Sequence, residues 1–407
     1  MTENTVLEEA KKPTKILGIS KNVLGMGAVS FLNDASSDMV FPFIGIFLTT
    51  TLGASAAFVG LVEGVADSTA SILKIFSGRL SDKLRIRKPI IVFGYSLSAI
   101  SKPILSLATS PWHVLIVRFF DRVGKGTRDA PRDALISVST DNKDIGRAFG
   151  FHRAADTLGA AVGPILAAII LPFIDNDLRT LFLLSFIASF FAVLVLIKFV
   201  KEVDGHHVPV SAQTLKMDFK SLDVNFIIFL IATTIFSLGK TSEAFLLLRA
   251  QGLGVTLVMI PILYFIFNIT LAAFSTPIGI LSDKIGHRNS FMVGIFLSSI
   301  VYYLFGLADT GMVMWLVFFF FGIQAAFTEG VGRAIVADLV EEKLRATAYG
   351  LYNALNGIAL LPASIIFGLL WDFYSPTIAF NYCATIGIIA LIIFAFLRNN
   401  HHQLSSL

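Results

Sequence analysis

Charge is scarce in this chain of 407 residues: Asp, Glu, Lys and Arg make up 15% of it, against about 25% in a soluble domain. Residues 180–197, 290–308, 310–328 and 373–397 contain none at all. Each stretch is long enough to cross the hydrocarbon core of a bilayer, which takes roughly 18–20 apolar residues. A soluble enzyme is excluded, because even a large core needs a charged surface. Cysteine is nearly absent too. Cys383 stands alone, so no internal disulfide and no paired-Cys metal site can form. There is no His-x-x-x-His, no Gly-x-Ser-x-Gly and no Gly-x-x-x-x-Gly-Lys-Ser/Thr. Zinc hydrolysis, serine hydrolysis and ATP-driven work therefore have no visible apparatus. His113 and His152 are isolated, and His206 and His207 sit in a polar segment. No enzyme activity, no cofactor and no metal site is expected. The opening "MTENTVLEEAKKPTK" has no early apolar core and does not read as a cleavable secretion signal.

What is abundant is apolar: 55% of residues are hydrophobic, 38 of them Phe. Their runs predict twelve helices, at about 18–49, 55–80, 88–109, 111–139, 146–173, 178–200, 222–248, 255–281, 289–308, 311–339, 344–371 and 376–397. An all-α membrane protein with twelve transmembrane helices follows. Most connections are short. The exception, "KEVDGHHVPVSAQTLKMDFKS" at 201–221, is polar, lies at the chain's midpoint and is too short to hold a core. It is expected to be a cytoplasmic linker between a six-helix bundle at 18–200 and a second at 222–397, with an N-terminal segment at 1–17 and a tail at 398–407. Positive charge gathers on one side: Lys11, Lys12, Lys15 and Lys21, then Lys83, Arg85, Arg87 and Lys88, then Lys143, Lys201, Lys216, Lys284, Arg288, Lys343 and Arg398. Arg179 and Arg249 are the main exceptions. The bias predicts both termini in the cytoplasm and the chain in the cytoplasmic (inner) membrane. The net charge of +4 is thus a topology signal, and no nucleic-acid partner is expected.

The two halves repeat each other. "GRLSDKLRIRKP" at 78–89 and "GILSDKIGHRNS" at 279–290 share Gly followed by Leu-Ser-Asp-Lys. "SSDMVFPF" in span one and "TSEAFLLL" in span seven align Asp38 with Glu243, and "RAFGFHRAADTLG" and "RATAYGLYNALNG" open spans five and eleven. Parallel repeats about a middle linker point to a transporter that rocks one half against the other. On these residues the chain resembles the major facilitator superfamily, whose loop between helices two and three carries Gly-x-x-x-Asp-Arg/Lys-x-Gly-Arg-Arg/Lys. Gly78, Asp82, Lys83, Arg87 and Lys88 match the first copy, with Arg85 where Gly is usual; Gly279, Asp283, Lys284, Gly286 and Arg288 match the second. The resemblance implies twelve helices in two pseudo-symmetric halves and a cytoplasmic latch at these loops. Arg118 takes the place of the helix-four Arg of proton-coupled members, but Asp121 and Arg122 replace the usual Gln-Gly. Gly159, Gly163 and Pro164 resemble the core of an antiporter signature, although small residues at that spacing also serve plain helix packing.

"FFDRVGKGTRDAPRDAL" at 119–135, with the Arg118 before it, places eight charges within an arc of about 140° at 100° per residue. Such a stripe must face the protein interior or water, since each charge at mid-membrane costs roughly 2.5–3.5 kcal/mol on lenient scales. Arg128, Asp129, Arg132 and Asp133 at its far end are expected to gate or to form fixed ion pairs. The deeper acids Asp34, Asp38, Glu63, Asp67, Asp121 and Glu243 are candidates for proton coupling. Arg118, Arg122, Lys125, Arg153, Asp156, Lys240, Glu329 and Arg333 are candidates for substrate contact or cavity lining. The expected function is secondary active transport of a small organic solute by alternating access, as proton-coupled export driven by the proton gradient. Two alternatives stand beside it: import or facilitated transport of an anionic or zwitterionic metabolite or metal chelate, and a noncatalytic sensing or assembly role. The expected partners are the solute, protons and membrane lipid. No obligate protein partner is evident, and a twelve-helix unit of this kind can act as a monomer.

Overall fold

The computed structural model describes residues 15–16, 19–84, 86–141, 144–203, 223–341 and 344–397. Lys143, Lys343, Arg85, the side chain of Asp82, most of segment 1–17, most of linker 201–221 and the tail 398–407 lie outside the described residues. Twelve long helical spans follow in order: α1 (Lys21–Thr51), α2 (Ala56–Leu84), α3 (Lys88–Ser106), α4 (Pro111–Val138), α5 (Ile145–Ile174), α6 (Leu178–Phe199), α7 (Val224–Gly252), α8 (Ile260–Ile285), α9 (His287–Leu307), α10 (Gly311–Leu339), α11 (Arg345–Phe373) and α12 (Pro376–Ala395). Their starts follow local chemistry. Ser20, Asp177 and Ser375 cap α1, α6 and α12 with side-chain oxygens, and proline opens α4 and α12. Eleven of the twelve are long and apolar enough to span a bilayer. The other, α4, carries the charged stripe; it turns Trp112, Ile116, Phe119 and Phe120 outward and packs against α2 and α3.

The first six helices pack in the same pattern as the last six. The pairs α1–α5, α1–α6, α2–α4, α3–α4 and α3–α6 recur as α7–α11, α7–α12, α8–α10, α9–α10 and α9–α12. The bundles meet at two equivalent seams, α2 on α11 and α5 on α8. With twelve spans, both ends of the described chain lie on one face, called here the terminal face; the other is the distal face. At the distal face both bundles share one apolar core, in which Phe43, Phe47, Val59, Phe245, Leu247 and Phe367 are fully buried. Toward the terminal face there are two cores, one per bundle: Val23, Met26, Tyr95 and Leu196 in the first, Phe226, Phe229, Phe291 and Phe394 in the second. The molecule is therefore closed distally and divided terminally.

Glycine makes the distal seam possible. A Cβ on Gly60 would sit 2.1 Å from the Ser364 carbonyl oxygen, and one on Gly368 would sit 2.5 Å from that of Ala56. Only hydrogen fits between backbones that close.

Three spans are interrupted where continuous helices were expected; in α10 the interruption is a single residue, Gly330, between Gly311–Glu329 and Val331–Leu339. In α1, Pro42 tightens residues 41–43 into a 3₁₀ turn, and the span ends in a π-helical turn at 47–51. In α7, the expected single helix over 222–248 is two segments, Val224–Leu238 and Glu243–Gly252. The break falls at Gly239–Ser242 and is held by side chains. Ser242 caps the second segment by accepting from the Ala244 N–H, and the Thr241 N–H donates to the Tyr302 hydroxyl at 3.4 Å. Broken backbone at membrane depth is tolerated where protein side chains satisfy it or where it lines a cavity.

A charged cavity between the bundles

The charged stripe of α4 faces a cavity of about 330 Å³ between the two bundles. Asp34, Asp38, Asp67, Asp121 and Glu243 bring five carboxylates to its wall; Lys102, Arg118, Arg122, Lys125 and Arg128 bring five cations. Tyr264 and Asn268 close the wall from α8. The sequence names eight of the ten charges as deep candidates, and the structure brings those eight together. Arg128 was expected at the gating end; its guanidinium instead lies against the cavity, stacked 4.2 Å from the centre of the Tyr95 ring and donating to Ser98 at 2.8 Å.

Register sets who meets whom. Gly94 of α3 lies against Gly124 and Arg128 of α4, and Ser98 donates to the Asp121 carbonyl at 3.2 Å. One turn further, Lys102 comes level with Arg118 and Asp121. Arg118 holds both oxygens of Glu63 at 3.1 Å and reaches Asp121 at 3.4 Å. Glu63 itself is fully buried behind the cavity wall and also accepts from Ser242 at 3.3 Å. One carboxylate thus ties α2 to α4 in the first bundle and to the α7 break in the second.

The remaining groups are less engaged. Arg122 meets Asp121 only at 3.7 Å, and its Nε has no hydrogen-bond partner. Asp34 accepts from its neighbour Asn33 at 3.0 Å. Lys102 is 96% buried, and its ammonium has no hydrogen-bond partner among the described residues either. Lys102 was missed by the sequence reading. Its signal was there, since Lys102 is the one charge inside a span whose other lysine, Lys88, lies at its first residue, and an intramembrane lysine is functional by default.

Other candidates lie elsewhere. Asp156 faces His152 at 3.6 Å on α5, while Arg153 is exposed. Lys240 stacks 4.8 Å from the Phe236 ring; Glu329 and Arg333 are exposed on α10. None of these lines the cavity. Asp129 sits between Lys74 and Arg132, both at 3.9 Å, and Arg132 holds Asp133 at 2.9 Å. In the second repeat loop, Gly286 has φ +87°, a conformation that favours glycine. This turn sets His287 between Asp338 at 2.6 Å and Asp283 at 3.1 Å, while Arg288 caps a carbonyl of α12 at 2.9 Å. Lys83 and Lys284 are exposed, the Arg87 N–H donates to Glu202, and Gly78 approaches Ala130. Gly159 and Gly163 admit α1, for a Cβ at either would sit 2.5 Å from a carbonyl oxygen of Phe31 or Ala35; Pro164 is buried beside them. Among the described residues no group of His, Cys, Asp and Glu is arranged to hold a metal ion.

One contact at the distal face has no counterpart in the sequence reading. Asp372, near the end of α11, accepts from the Ala56 and Ala57 N–H groups at 2.9 and 2.7 Å. A residue of one bundle thus caps a helix of the other.

Comparison with known proteins agrees with the fold. An uncharacterized MFS-type transporter of Methanocaldococcus jannaschii is 36% identical over 386 residues, covering 93% of this chain and 95% of its own. The multidrug resistance protein MdtH of Photorhabdus laumondii is 32% identical over 135 residues, a third of each chain. Among solved structures, a mutant of the nucleoside transporter NupG superposes with a TM-score of 0.81 at 18% identity, over 92% of this chain and 99% of that one. The family model of the Major Facilitator Superfamily matches residues 26–247 and 219–406. With twelve spans in two like bundles around a central cavity, the chain belongs to the major facilitator superfamily of secondary transporters.

Proposed function

We propose that this protein carries a small anionic or zwitterionic organic solute across the cytoplasmic membrane by alternating access, coupled to protons. The observation that carries the reading is the cavity, where five cations face five carboxylates on the wall and a sixth, Glu63, behind Arg118, so that one proton shared among the carboxylates brings the two signs into balance. In a low-dielectric site, a bound species that upsets that balance is disfavoured. A zwitterion preserves it, and so does an anion that enters together with a proton. Lys102 and Arg122 have donors to spare for the anionic group. Asp34, Asp38, Asp67 and Glu243 are the carboxylates able to take the proton, since the α4 cations spend their close pairs on Glu63 and Asp121. Anion and proton moving together would run inward down the proton gradient, so uptake is the direction assigned.

The bundles at 18–200 and 222–397 act as the two rocking bodies, with the 201–221 segment joining them. Both termini lie in the cytoplasm, as the positive charge at Lys21, Lys83, Lys88, Lys201, Lys284 and Arg288 supports. The terminal face is then the cytoplasmic one, toward which the cavity opens between the divided cores. The monomer is the working unit.

A second reading has a specific support: the partial likeness to a multidrug resistance protein favours export of a cation in exchange for protons, which also preserves the charge balance. Purified protein in liposomes under an imposed pH gradient decides between them. Uptake of labelled carboxylates or amino acids with co-movement of protons supports the first reading. Proton-driven expulsion of lipophilic cations, with no response to carboxylates, replaces it.

A further inference from the structure

Lys102 stands out among the ionisable side chains of the cavity. It lies on α3 immediately before Pro103, is 96% buried, lines the cavity, and its ammonium has no hydrogen-bond or ion-pair partner among the described residues. A buried ammonium left in that condition is costly, and such groups are normally paired. The cost is relieved if the empty partner position is filled by the solute. The neighbouring α4 cations are differently placed: Arg118 is committed to Glu63 in a two-pronged pair, and Arg128 to Ser98 and the Tyr95 ring. Arg122, whose Nε meets Asp121 only at 3.7 Å and has no hydrogen-bond partner among the described residues, is the second donor lining the cavity. Across the cavity, Asp38 of α1 and Glu243 of α7 present carboxylates that no other described side chain ties down by a hydrogen bond; Glu243 accepts from its own backbone N–H.

We infer that the cavity holds a small zwitterion lengthwise, its carboxylate on the Lys102 ammonium and Arg122, its ammonium on the Asp38 and Glu243 side. This inference rests on the transport reading above and narrows it to one solute class. The solute touches both bodies: its carboxylate end lies on Lys102 and Arg122 of the first bundle, and its ammonium end lies between Asp38 of the first and Glu243 of the second, at the start of the segment that follows the α7 break. A solute with both charges bridges the bundles, whereas a plain anion satisfies only one of them. Lys102 is the specificity-determining residue of the arrangement.

The test uses the full chain in lipid nanodiscs, with thermal stabilisation by free amino acids, each measured beside its amide and its des-amino acid. Wild type is compared with Lys102→Met and Lys102→Arg. One or more amino acids are expected to stabilise wild type more than either analogue does. Lys102→Met is expected to weaken that binding at least about tenfold, the worth of a charge-assisted contact, and Lys102→Arg to restore most of it. The inference is overturned if no amino acid exceeds both of its analogues, if Lys102→Met keeps the wild-type profile, or if Lys102→Arg restores none of the lost binding. If des-amino acids bind best and lose affinity in Lys102→Met, the zwitterion falls while the anion-transport reading stands. If amides bind best, both fall.

Discussion

The carboxylate of Asp372 should bias which face of the transporter is closed. It accepts two N–H groups at the start of α2, 2.9 and 2.7 Å away, from the opposite bundle. The first N–H groups of a helix have no partner within it, and the partial positive charge there favours an anion. Replacing a capping side chain by alanine costs about 0.5–2 kcal/mol, and a charge beside a helix end contributes roughly 0.3–1 kcal/mol, less at an exposed position where solvent screens it. Asp372 is exposed, so the cap is the main effect and the total is about 1–2 kcal/mol. All of it belongs to the distally closed state, because water satisfies the same groups once α2 and α11 part. Asp372→Ala should therefore shift the equilibrium toward distal opening by roughly 5- to 30-fold. Asp372→Asn keeps an acceptor and should shift it less. Spin labels at Thr51 and Tyr374, one on each bundle at the distal face, read the change by pulsed electron spin resonance, with Cys383, buried and alone, replaced by serine. A longer distance should gain population in Asp372→Ala. An unchanged distance distribution would refute the idea that this cross-bundle cap holds the closed state.

Further outcomes follow from the same geometry. Gly60→Leu places side-chain atoms where the Ser364 carbonyl oxygen now lies; it should hold the distal face open in the same spin-label measurement and abolish transport. Glu63→Leu leaves the buried Arg118 guanidinium only its longer contact to Asp121 and should destabilise the protein by up to about 3–5 kcal/mol; adding Arg118→Met should recover much of the thermal stability without recovering transport, and a double variant no more stable than the single one would contradict the pairing. Asp177, in the turn before α6, is held below its ordinary pKa of 3.8 first by the Thr180 hydroxyl and then by the Arg179 and Thr180 N–H groups. A depressed carboxyl stabilises fully above its ordinary pKa and loses that contribution as pH falls through the lower folded value. Asp177→Ala should therefore lower the melting temperature at pH 7 and flatten the fall of stability below about pH 4.

Much of the architecture could be read from residue order alone. Twelve spans, their parity and the repeated Gly-Leu-Ser-Asp-Lys loops are properties of apolar run length and local pattern, which a bilayer reads one segment at a time. The one-sided stripe of α4 is equally local, because a helix places residues by count. That stripe told which charges must be shielded from lipid, and nine of the ten cavity charges lie on it or among the acids of α1, α2 and α7, Arg128 having been placed at its gating end. The candidates that do not line the cavity, Arg153, Lys240, Glu329 and Arg333, show the limit of the method. An intramembrane charge can be shielded by a ring, as Lys240 is by Phe236, or lie at an exposed surface, as Glu329 does, and depth along the chain does not distinguish these from a cavity wall.

What the sequence by itself determined is the set of segments, their number and the amphipathic character of α4, because each depends on residues within one turn or one span of each other. The tertiary structure alone decided the rest. Glu63 joins α2, α4 and the break in α7, and Asp372 caps a helix more than 300 residues away in the chain. The state closed on one face depends on glycines of α2 and α11 facing carbonyls they never approach in sequence. Lys102 is left without a hydrogen-bond partner among the described residues although acids surround the cavity it lines. These are facts of register and distance between helices, and in a membrane, where every apolar face meets an equally apolar lipid, close packing and polar pairing set that register.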